Sequence, residues 1–482
     1  MAAGDSSAFD VVVIGAGGAG STAAFELNAA GVKVALIEQW KVGGTCLNVG
    51  CDPTKTLVRS AEIAHLARAS ARFGIHVEGV RYDWPAVIER VNRVIDVIRG
   101  GDGEQNIRNE GIELIKGSAR FLSAHELDVD GRVVRGERIV IATGASNVVP
   151  PIAGLAEAGY ITNEEAVALP ELPQSLMVVG GGVIGVEFAQ IFARFGVEVT
   201  LLASRSQVLP REDEDLTTVL ADVLDREGVR VLTSTRVNRV ERDGEIKVVF
   251  GAREGEQVSA RGQEILLAVG RSPTVRDMNL EAAGIDYDDK GIKVDAELRT
   301  STEDIWAIGD VTGVEPFTHV ADYQARIAAW NVLGNPPAQA DYRVIPHAIF
   351  TNPELGRVGL TEREAAEVGY DVKCAIVPFK DLARALTSGE TDGLVKLVSD
   401  RTSGHILGGH VLGAHGGELL PEIALAMRHG LTVQAIADTI HAYPTMSEAV
   451  FWAAFELAKP DAPAMEALRG VSVPMGDATD EV

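Results

Sequence analysis

The sequence is poor in cysteine and has no long apolar run. Only three of its 482 residues are cysteine, and no stretch reaches the 18 or more apolar residues of a membrane-spanning helix. The chain starts Met-Ala-Ala-Gly-Asp-Ser-Ser, without the basic and apolar segments of a secretory signal peptide. These absences predict a cytoplasmic protein with no membrane partner. Disulfides in the cytosol are usually catalytic or redox-sensing.

Basic residues are also in deficit. The chain has 44 Lys and Arg against 69 Asp and Glu, a formal net charge of −25, which argues against nucleic acid or an anionic membrane as a partner. In contrast, hydrophobic residues make up 46% of the chain and glycine occurs 51 times. This composition is typical of α/β units with many tight turns, and the length predicts about two to four domains.

Two of the cysteines, Cys46 and Cys51, lie in residues 43–55, Gly-Gly-Thr-Cys-Leu-Asn-Val-Gly-Cys-Asp-Pro-Thr-Lys. A regular helix holds residues five positions apart too far from each other for a relaxed disulfide. Gly50 and Pro53 argue against a regular helix, because glycine permits unusual dihedral angles and proline lacks a backbone donor. A local distortion that brings the sulfurs together is therefore expected, and we interpret the pair as a redox-active dithiol.

A dinucleotide-binding unit precedes the cysteines. Residues 10–14, Asp-Val-Val-Val-Ile, predict a buried strand that leads into the glycine turn 15–20, then a helix and a second strand that ends at Glu38. Its glycines let the backbone approach a pyrophosphate at a helix N-terminus; they are Gly15, Gly17 and Gly20. Glu38 is placed to accept hydrogen bonds from a ribose. The glycines alone would also suit a structural turn, but the whole strand–turn–helix–strand–acid pattern is specific.

The unit recurs at mid-chain, where a strand at 176–179 enters the turn 180–185. The glycines of this second turn are Gly180, Gly182 and Gly185. Ser204 and Arg205 stand where the acid is expected after the next strand. A carboxylate would favour a free 2′-hydroxyl, whereas arginine with serine suits a 2′-phosphate. The second site is therefore predicted to prefer NADPH, with NADH possible; the alternative is that Arg205 is an exposed loop arginine.

Three further motifs complete the pattern. They are residues 139–145 (Ile-Val-Ile-Ala-Thr-Gly-Ala), 265–273 (Ile-Leu-Leu-Ala-Val-Gly-Arg-Ser-Pro) and 302–310 (Thr-Glu-Asp-Ile-Trp-Ala-Ile-Gly-Asp). With them the chain resembles the class I pyridine nucleotide–disulfide oxidoreductases, which include dihydrolipoamide dehydrogenase, glutathione reductase and mercuric reductase. The resemblance implies an α/β fold with two Rossmann-like domains, for FAD and NAD(P), and a C-terminal α+β dimerisation domain. The expected limits are 1–150 and 273–341 for the FAD domain, 151–272 for the NAD(P) domain, and 342–482 for the dimerisation domain with a loose tail.

The resemblance also implies roles for single residues. Cys51 would be the thiolate that faces the flavin, Cys46 the interchange thiol, and Lys55 with Glu187 an ion pair beside the flavin ring. A first-turn surface lysine and a helix acid stabilised by the macrodipole are the alternatives for that pair. The remaining cofactor-binding positions are Thr45, Thr143, Gly144, Gly270 and Asp310.

The C-terminal region departs from the disulfide-reducing members of this family, which carry a histidine before Pro-Thr and a glutamate five residues after that histidine. Here Tyr443 takes the histidine position and Glu448 keeps its own. Tyrosine titrates near ~10 and is not a base at neutral pH. Mercuric reductases also have a tyrosine there, but their C-terminal cysteine pair is absent from this chain. The family's homodimer would place Tyr443 and Glu448 of one subunit against Cys46 of the other.

His441 lies two residues before Tyr443. Because Tyr443 precedes proline and is pushed towards extended geometry, His441 and Tyr443 are expected to share a face. His441 would then either replace part of the lost base or, in the interpretation that we prefer, be inherited without a catalytic role.

Other candidate residues are interpreted as structural. Cys374 lies in a strand-like run and is expected to be an inert small hydrophobe. His405, His410 and His415 recur every five residues, but no cysteine or carboxylate completes a metal set, so no metal site is predicted. Asp83 is expected to cap a helix with an apolar stripe.

The leading hypothesis is an FAD-dependent oxidoreductase that passes hydride from NADPH through the flavin and the Cys46/Cys51 disulfide. Its acceptor would be a disulfide, a metal ion or another small molecule or small protein. The alternatives are a dihydrolipoamide dehydrogenase, which needs a base near Cys46, and a quinone reductase that works from the flavin without the cysteines. A non-catalytic scaffold is also conceivable but would not need the dithiol, Lys55 and Glu187 intact.

Overall fold

A computed structural model describes residues 8–459 of the chain. The described residues form two compact units: the first comprises residues 8–211 and 221–342, and the second comprises 212–220 and 343–459. The tail predicted to be loose after Lys459 lies outside the described residues.

The first unit contains the sheet of the predicted FAD domain, which has seven strands among the described residues. Its strands are, in order across the sheet, Glu113–Lys116, Val34–Glu38, Ala8–Ile14, Arg132–Ile141, Glu126–Val129 and Ala119–Ser123, with Ile305–Ala307 also paired to Arg132–Ile141. Ile14 lies opposite both Ile37 and Ile141 in parallel register. The first glycine turn therefore leaves the sheet at its carboxyl edge, between two neighbouring strands, as a ligand site on a parallel sheet requires.

This sheet is covered on both faces. Val11 and Val13 belong to a buried cluster with the helix Thr318–Val332, whereas Val12 and Ile14 belong to a second cluster. Successive strand residues point to opposite faces, so a continuous apolar run is what a doubly covered strand needs. Full burial of each such side chain contributes about 1.5–3 kcal/mol.

The second sheet of this unit is fully parallel and belongs to the mid-chain nucleotide unit. Its strands are Arg230–Leu232, Glu198–Leu202, Ser175–Val179 and Glu264–Leu267. Smaller antiparallel sheets are formed by Thr235–Asp243, Ile246–Arg253 and Glu256–Gly262, by Ala145–Asn147 and Arg271–Pro273, and by Tyr287–Asp288 and Gly291–Ile292. The unit's α-helices are Gly18–Ala29, Gly44–Val49, Cys51–Ala69, Trp84–Arg99, Gly103–Asn109, Leu155–Ala158, Asn163–Ala166, Val183–Arg194 and Thr318–Val332. The helix Glu214–Arg226 runs from the second unit into the first.

The helix Trp84–Arg99 is capped as predicted, since the Asp83 carboxylate accepts the Ala86 N–H. Its apolar stripe is only partly used: Val91 and Ile95 are buried, but Ile98 is 55% exposed.

The second unit is built on an antiparallel sheet. Its strands are, in order, Pro346–Ile349, Glu354–Gly359, Ile406–Gly413, Leu394–Asp400 and Val372–Pro378. Its α-helices are Glu362–Val368, Ala383–Ser388, Leu420–Arg428, Val433–Ala437 and Glu448–Ala458. From the sequence we predict strands at 394–398 and 406–411 and helices at 419–430 and 432–440 in this unit. The strands are present, and both helices are shorter.

Candidate active site

The two cysteines lie on either side of a helix break. Cys46 belongs to the short helix Gly44–Val49, and Cys51 begins the helix Cys51–Ala69. Between them Gly50 has φ −114° and ψ −110°, and a Cβ there would lie 2.9 Å from the Thr45 carbonyl oxygen. The predicted local distortion is therefore present, as a one-residue break that glycine permits.

The two thiols differ in acidity. Hydrogen bonding from Cys46, then from Thr318, together with the nearby Lys55 charge, lowers the pKa of Cys51 to about 6. Its place at a helix N-terminus acts in the same direction. The hydrogen bond to Cys51 and burial raise the pKa of Cys46 above its ordinary value. Near neutral pH, Cys51 is thus the thiolate and Cys46 keeps its proton.

Thr318, which no sequence motif indicated, contacts both sulfurs. Its Oγ1 lies 3.2 Å from Cys46 Sγ and 3.5 Å from Cys51 Sγ. Thr318 is the first residue of the helix Thr318–Val332, 272 positions from Cys46. In the sequence, only the position of Thr318 soon after the Asp310 motif hinted at this contact, because no local pattern links residues so far apart.

Lys55 and Glu187 form the ion pair that the resemblance implied. Lys55 Nζ lies 2.7 Å from Glu187 Oε2, and the Glu187 side chain is only 2% exposed. A carboxylate so buried needs a charged or hydrogen-bonding partner. The pairing ties the side chain of Lys55, which lies one helical turn from Cys51 and is 31% exposed, to a buried carboxylate.

The first glycine turn fits a dinucleotide. Gly15 has φ +102°, and a Cβ at Gly20 would collide with the Gly15 carbonyl oxygen, so both positions require glycine. At Gly17 the nearest atom to an added Cβ is the Gly44 Cα at 3.9 Å, which leaves room for a ligand beside the N-terminus of the helix Gly18–Ala29. Glu38 is 7% exposed, and its carboxylate accepts the Ala16 N–H at 2.7 Å.

Arg271 links the other predicted FAD contacts and was not selected from the sequence as a site residue. Its guanidinium donates to Thr45 Oγ1 at 3.3 Å and to the Ala145 carbonyl. Burial raises the pKa of the Asp310 carboxyl, and the Arg271 charge opposes that rise. The neighbouring Thr143 donates its hydroxyl to the Thr274 carbonyl at 2.9 Å, and Gly144 has φ +69°.

The second glycine turn repeats the first. Gly180 has φ +122°, a Cβ at Gly185 would collide with the Gly180 carbonyl oxygen, and a Cβ at Gly182 would have nothing described within 4 Å. Ser204 and Arg205 are exposed just beyond the strand Glu198–Leu202. Gly270, with φ +121°, follows the neighbouring strand Glu264–Leu267. Room for a pyrophosphate and an available arginine fit NADPH here.

The C-terminal candidates are arranged differently from what was expected. Tyr443 is 76% exposed, whereas the His441 side chain is 7% exposed, so the prediction that they share a face was wrong. His441 Nε2 lies 2.9 Å from Glu422 Oε1, and its Nδ1 lies 2.9 Å from the Thr439 carbonyl oxygen. Glu448 accepts the Thr445 N–H at 3.1 Å, at the start of its own helix.

The residues interpreted as structural have ordinary surroundings. Burial raises the pKa of Cys374 to about 12, which keeps this thiol protonated. His410 is fully buried, and His405 and His415 are exposed. Across residues 8–459, no group of three or more His, Cys, Asp or Glu is arranged to hold a metal ion. Within the same range, no helix has the length and apolar character needed to cross a bilayer.

Comparison with known proteins decides the family. Residues 9–325 match the family model of the pyridine nucleotide-disulphide oxidoreductases, and residues 345–454 match the dimerisation domain of that family. The chain belongs to this family. Two nucleotide-binding regions and a C-terminal dimerisation domain, which the sequence predicted, are thereby confirmed.

Individual relatives differ in their named activities. The chain is 37% identical to a mercuric reductase of Bacillus cereus, over 91% of its own length and 70% of the relative's. It is 36% identical to a dihydrolipoyl dehydrogenase of Chlamydia muridarum, over 95% and 98% of the two lengths. Among solved structures it is similar to the HOCl-induced flavoprotein disulfide reductase RclA from Escherichia coli, with TM-score 0.83 and 35% identity over 94% and 100% of the two chains.

The family also fixes the class of chemistry. The protein is an oxidoreductase that depends on FAD and uses NAD(P)H, as the sequence predicted. The residues around both glycine turns fit these two cofactors.

The arginine beyond the second turn gives a testable prediction. We expect Arg205→Ala to raise the KM for NADPH about tenfold or more and to leave the KM for NADH nearly unchanged, because a charge-assisted contact to phosphate is worth about 1.5–3 kcal/mol. Steady-state kinetics with both nucleotides measures this. Arg253→Ala, which removes an exposed arginine at the end of the strand Ile246–Arg253, is the matched control. Equal use of NADPH and NADH by the wild-type enzyme would refute the phosphate role.

Proposed function

We propose that this enzyme passes electrons from NADPH through FAD and the Cys46/Cys51 pair to a thiophilic metal ion. The observation that carries the proposal is Tyr443 in the position where disulfide-reducing members carry a histidine. Exchange with an organic disulfide needs a base that removes the thiol proton of Cys46, because the pKa of Cys46 is raised. A soft metal ion does not, because it displaces the thiol proton when it binds.

The surroundings of the dithiol support a metal acceptor. Cys51 is a thiolate at neutral pH because its pKa is about 6, and thiolates are the ligands that soft metal ions select. The Thr318 hydroxyl donates to Cys46 Sγ and lies within hydrogen-bonding distance of Cys51 Sγ, but it is no base. The acceptor ion would therefore bind where Cys46 and Cys51 meet.

The roles of the individual residues follow from their contacts. When bound, FAD accepts two electrons from NADPH and delivers them to the cysteine pair. Lys55, held by Glu187 at 2.7 Å, places a positive charge beside Cys51 and stabilises its thiolate. Cys46 would be the sulfur that exchanges with the acceptor. Oxidation of one NADPH releases one proton and two electrons, which reduce two Cu²⁺ ions to two Cu⁺ ions.

Two of the relatives are consistent with a metal acceptor. Mercuric reductases are among them, and RclA has been solved as a Cu(II) complex. The three cysteines of this sequence are Cys46, Cys51 and Cys374, so the C-terminal pair of mercuric reductases is missing. We therefore place Cu²⁺ before Hg²⁺ as the acceptor.

Three further features belong to the proposal. NADPH is the preferred donor, because Ser204 and Arg205 replace the ribose-binding acid. The active unit is a two-fold homodimer, because the chain carries the family's dimerisation domain and such interfaces are self-complementary. The cytosol is the place of action, because a cycling dithiol suits a reducing compartment.

Dihydrolipoyl dehydrogenase activity is the second candidate. The similarity to the Chlamydia muridarum enzyme over 95% of this chain favours this activity. His441 also pairs with Glu422, and a carboxylate–imidazole pair of this kind can act as a base. Both nitrogens of His441 are occupied, however, and its side chain is nearly buried.

A quinone reductase that works directly from the flavin is the third candidate.

An acceptor panel tests the proposal. The anaerobic wild-type enzyme with NADPH is given Cu²⁺ with a Cu⁺ chelator, Hg²⁺, oxidised lipoamide, glutathione disulfide or a quinone. We expect kcat/KM for Cu²⁺ to exceed that for either disulfide by about 10²-fold or more, the range that a missing general base accounts for. The reverse order would establish a disulfide acceptor, and fast turnover of the quinone alone would support the third candidate.

A further inference from the structure

A glutamine lies fully buried in the first unit, on the helix Thr318–Val332. Gln324 is 0% exposed, and the helix buries it beside small apolar residues such as Ala325 and Ala328. A buried amide is costly unless its donor and its acceptor are both hydrogen-bonded. Its partners therefore indicate why a polar side chain occupies this position.

The oxygen of Gln324 holds the turn that carries Asp310. Gln324 Oε1 accepts the Gly309 N–H at 2.6 Å, and the Gly309 carbonyl accepts the Thr312 hydroxyl at 2.9 Å. Gly309 has φ +75°, a conformation that glycine adopts readily. Both polar groups of this residue, next to Asp310, are thus fixed.

The nitrogen of Gln324 is held from the other side. Gln324 Nε2 donates to Tyr342 Oη at 2.8 Å, and burial raises the pKa of Tyr342, which keeps its hydroxyl protonated. The Tyr342 ring meets Tyr323 edge to face, and the Tyr323 hydroxyl accepts the Asp341 N–H at 2.9 Å. Because the Gly309 N–H can only donate, the amide oxygen faces Gly309, and Tyr342 holds the amide nitrogen on the other side.

We infer that Gln324 is a positioning residue for FAD: held by Tyr342, it fixes the Gly309–Asp310 turn in the shape that binds the cofactor. Asp310 is the predicted contact to the ribityl chain of FAD. If its turn were mobile, FAD binding would have to order the turn, and the entropy lost would weaken binding. The hydrogen bond from Gly309 to Gln324 removes that cost in advance. This inference concerns cofactor retention and does not depend on the identity of the electron acceptor.

The test is FAD binding to apoprotein, measured by flavin fluorescence quenching. We expect Gln324→Leu to raise the Kd for FAD about 10- to 100-fold, because it leaves the Gly309 N–H without its partner. Gln324→Glu should bind FAD more tightly than Gln324→Leu, since a carboxylate can accept from both the Gly309 N–H and the Tyr342 hydroxyl. The FAD-induced rise in Tm should shrink in Gln324→Leu and recover in Gln324→Glu.

A matched control lies on the same helix. Asn331 is another buried amide, 5% exposed, which bonds the Glu297 and Ala338 carbonyls instead of the Asp310 turn. Asn331→Leu should lower the Tm of apoprotein and holoenzyme equally and leave the Kd for FAD unchanged. If Asn331→Leu weakens FAD binding as much as Gln324→Leu does, Gln324 is merely structural and the inference is overturned.

A milder variant covers the case in which Gln324→Leu does not fold. Tyr342→Phe removes only the hydroxyl that fixes the amide, and we expect about a 3- to 10-fold weaker Kd for FAD. A wild-type Kd in Tyr342→Phe would overturn the inference, because the amide would then not need its support.

Discussion

Replacing Tyr443 with histidine should raise the NADPH-dependent turnover of oxidised lipoamide or glutathione disulfide by about 10²–10⁴-fold, the usual value of general-base catalysis. The physical reason is the raised pKa of Cys46, because a histidine introduced at Tyr443 would supply a base to take the Cys46 proton. Glu448 keeps the sequence position of the family's glutamate, and we expect it to orient the new imidazole. Steady-state kinetics with each disulfide, together with the rate of flavin reduction by NADPH, measures the change.

Two comparisons make this prediction specific. Flavin reduction by NADPH should stay unchanged in Tyr443→His, because that step does not involve the thiol proton, and Cu²⁺ turnover should change far less than disulfide turnover. His441→Ala should have little effect on disulfide turnover, since Glu422 and the Thr439 carbonyl already bond the two ring nitrogens of His441. Efficient wild-type lipoamide turnover that collapses in His441→Ala would make His441 the working base and contradict this account.

The same variant tests the homodimer. In a mixed dimer of one Cys46→Ser subunit and one Tyr443→His subunit, the introduced histidine faces the inactive dithiol if the C-terminal segment serves the partner subunit. The gain in disulfide turnover should then disappear in the mixed dimer. A gain kept at half its value would mean that each subunit completes its own site, and an active monomer by size-exclusion chromatography would defeat the dimer proposal.

Replacing either cysteine should abolish Cu²⁺ and disulfide turnover while leaving the flavin reducible by NADPH. Two-electron reduction of the wild-type enzyme should produce a long-wavelength charge-transfer band between the Cys51 thiolate and oxidised flavin. Cys51→Ser should remove this band, and Cys46→Ser should show it without reduction. A wild-type enzyme with no band would show that the dithiol is wrongly assigned.

The pH dependence of the band follows from the Cys51 pKa of about 6. The thiolate is the form that absorbs, so the band of reduced wild-type enzyme should grow as pH rises through about 6 and fade below that value. The hydrogen bond from Cys46 is the largest cause of the lowered pKa. The pH at which the band reaches half its intensity should therefore change in Cys46→Ser, where a hydroxyl replaces the thiol that donates this hydrogen bond. Cys374→Ser is the control, since that thiol stays protonated up to about pH 12 and should leave the band unchanged.

Much of the fold was predictable because its signals are local. Apolar runs such as residues 11–14 and 176–179 become strands buried on both faces, and in the turns that follow them Gly15, Gly20, Gly180 and Gly185 have positive φ or no room for a Cβ. The helix break between Cys46 and Cys51 was also predictable, because Gly50 carries the conformation within the motif itself. The prediction for His441 and Tyr443 failed because strand-like alternation does not hold in a segment without regular structure.

The two nucleotide turns, the dithiol and the tyrosine in place of the histidine at position 443 can all be identified from the sequence alone, since each is a pattern of neighbouring residues. Only the tertiary structure decided which distant side chains set the chemistry at these sites. Thr318 lies 272 positions from Cys46 along the chain and contacts its sulfur, and Arg271 donates to Thr45 across 226 positions. Such contacts arise from packing a helix against a sheet edge or another helix, and a linear pattern carries no record of which side chains that packing brings within hydrogen-bonding distance.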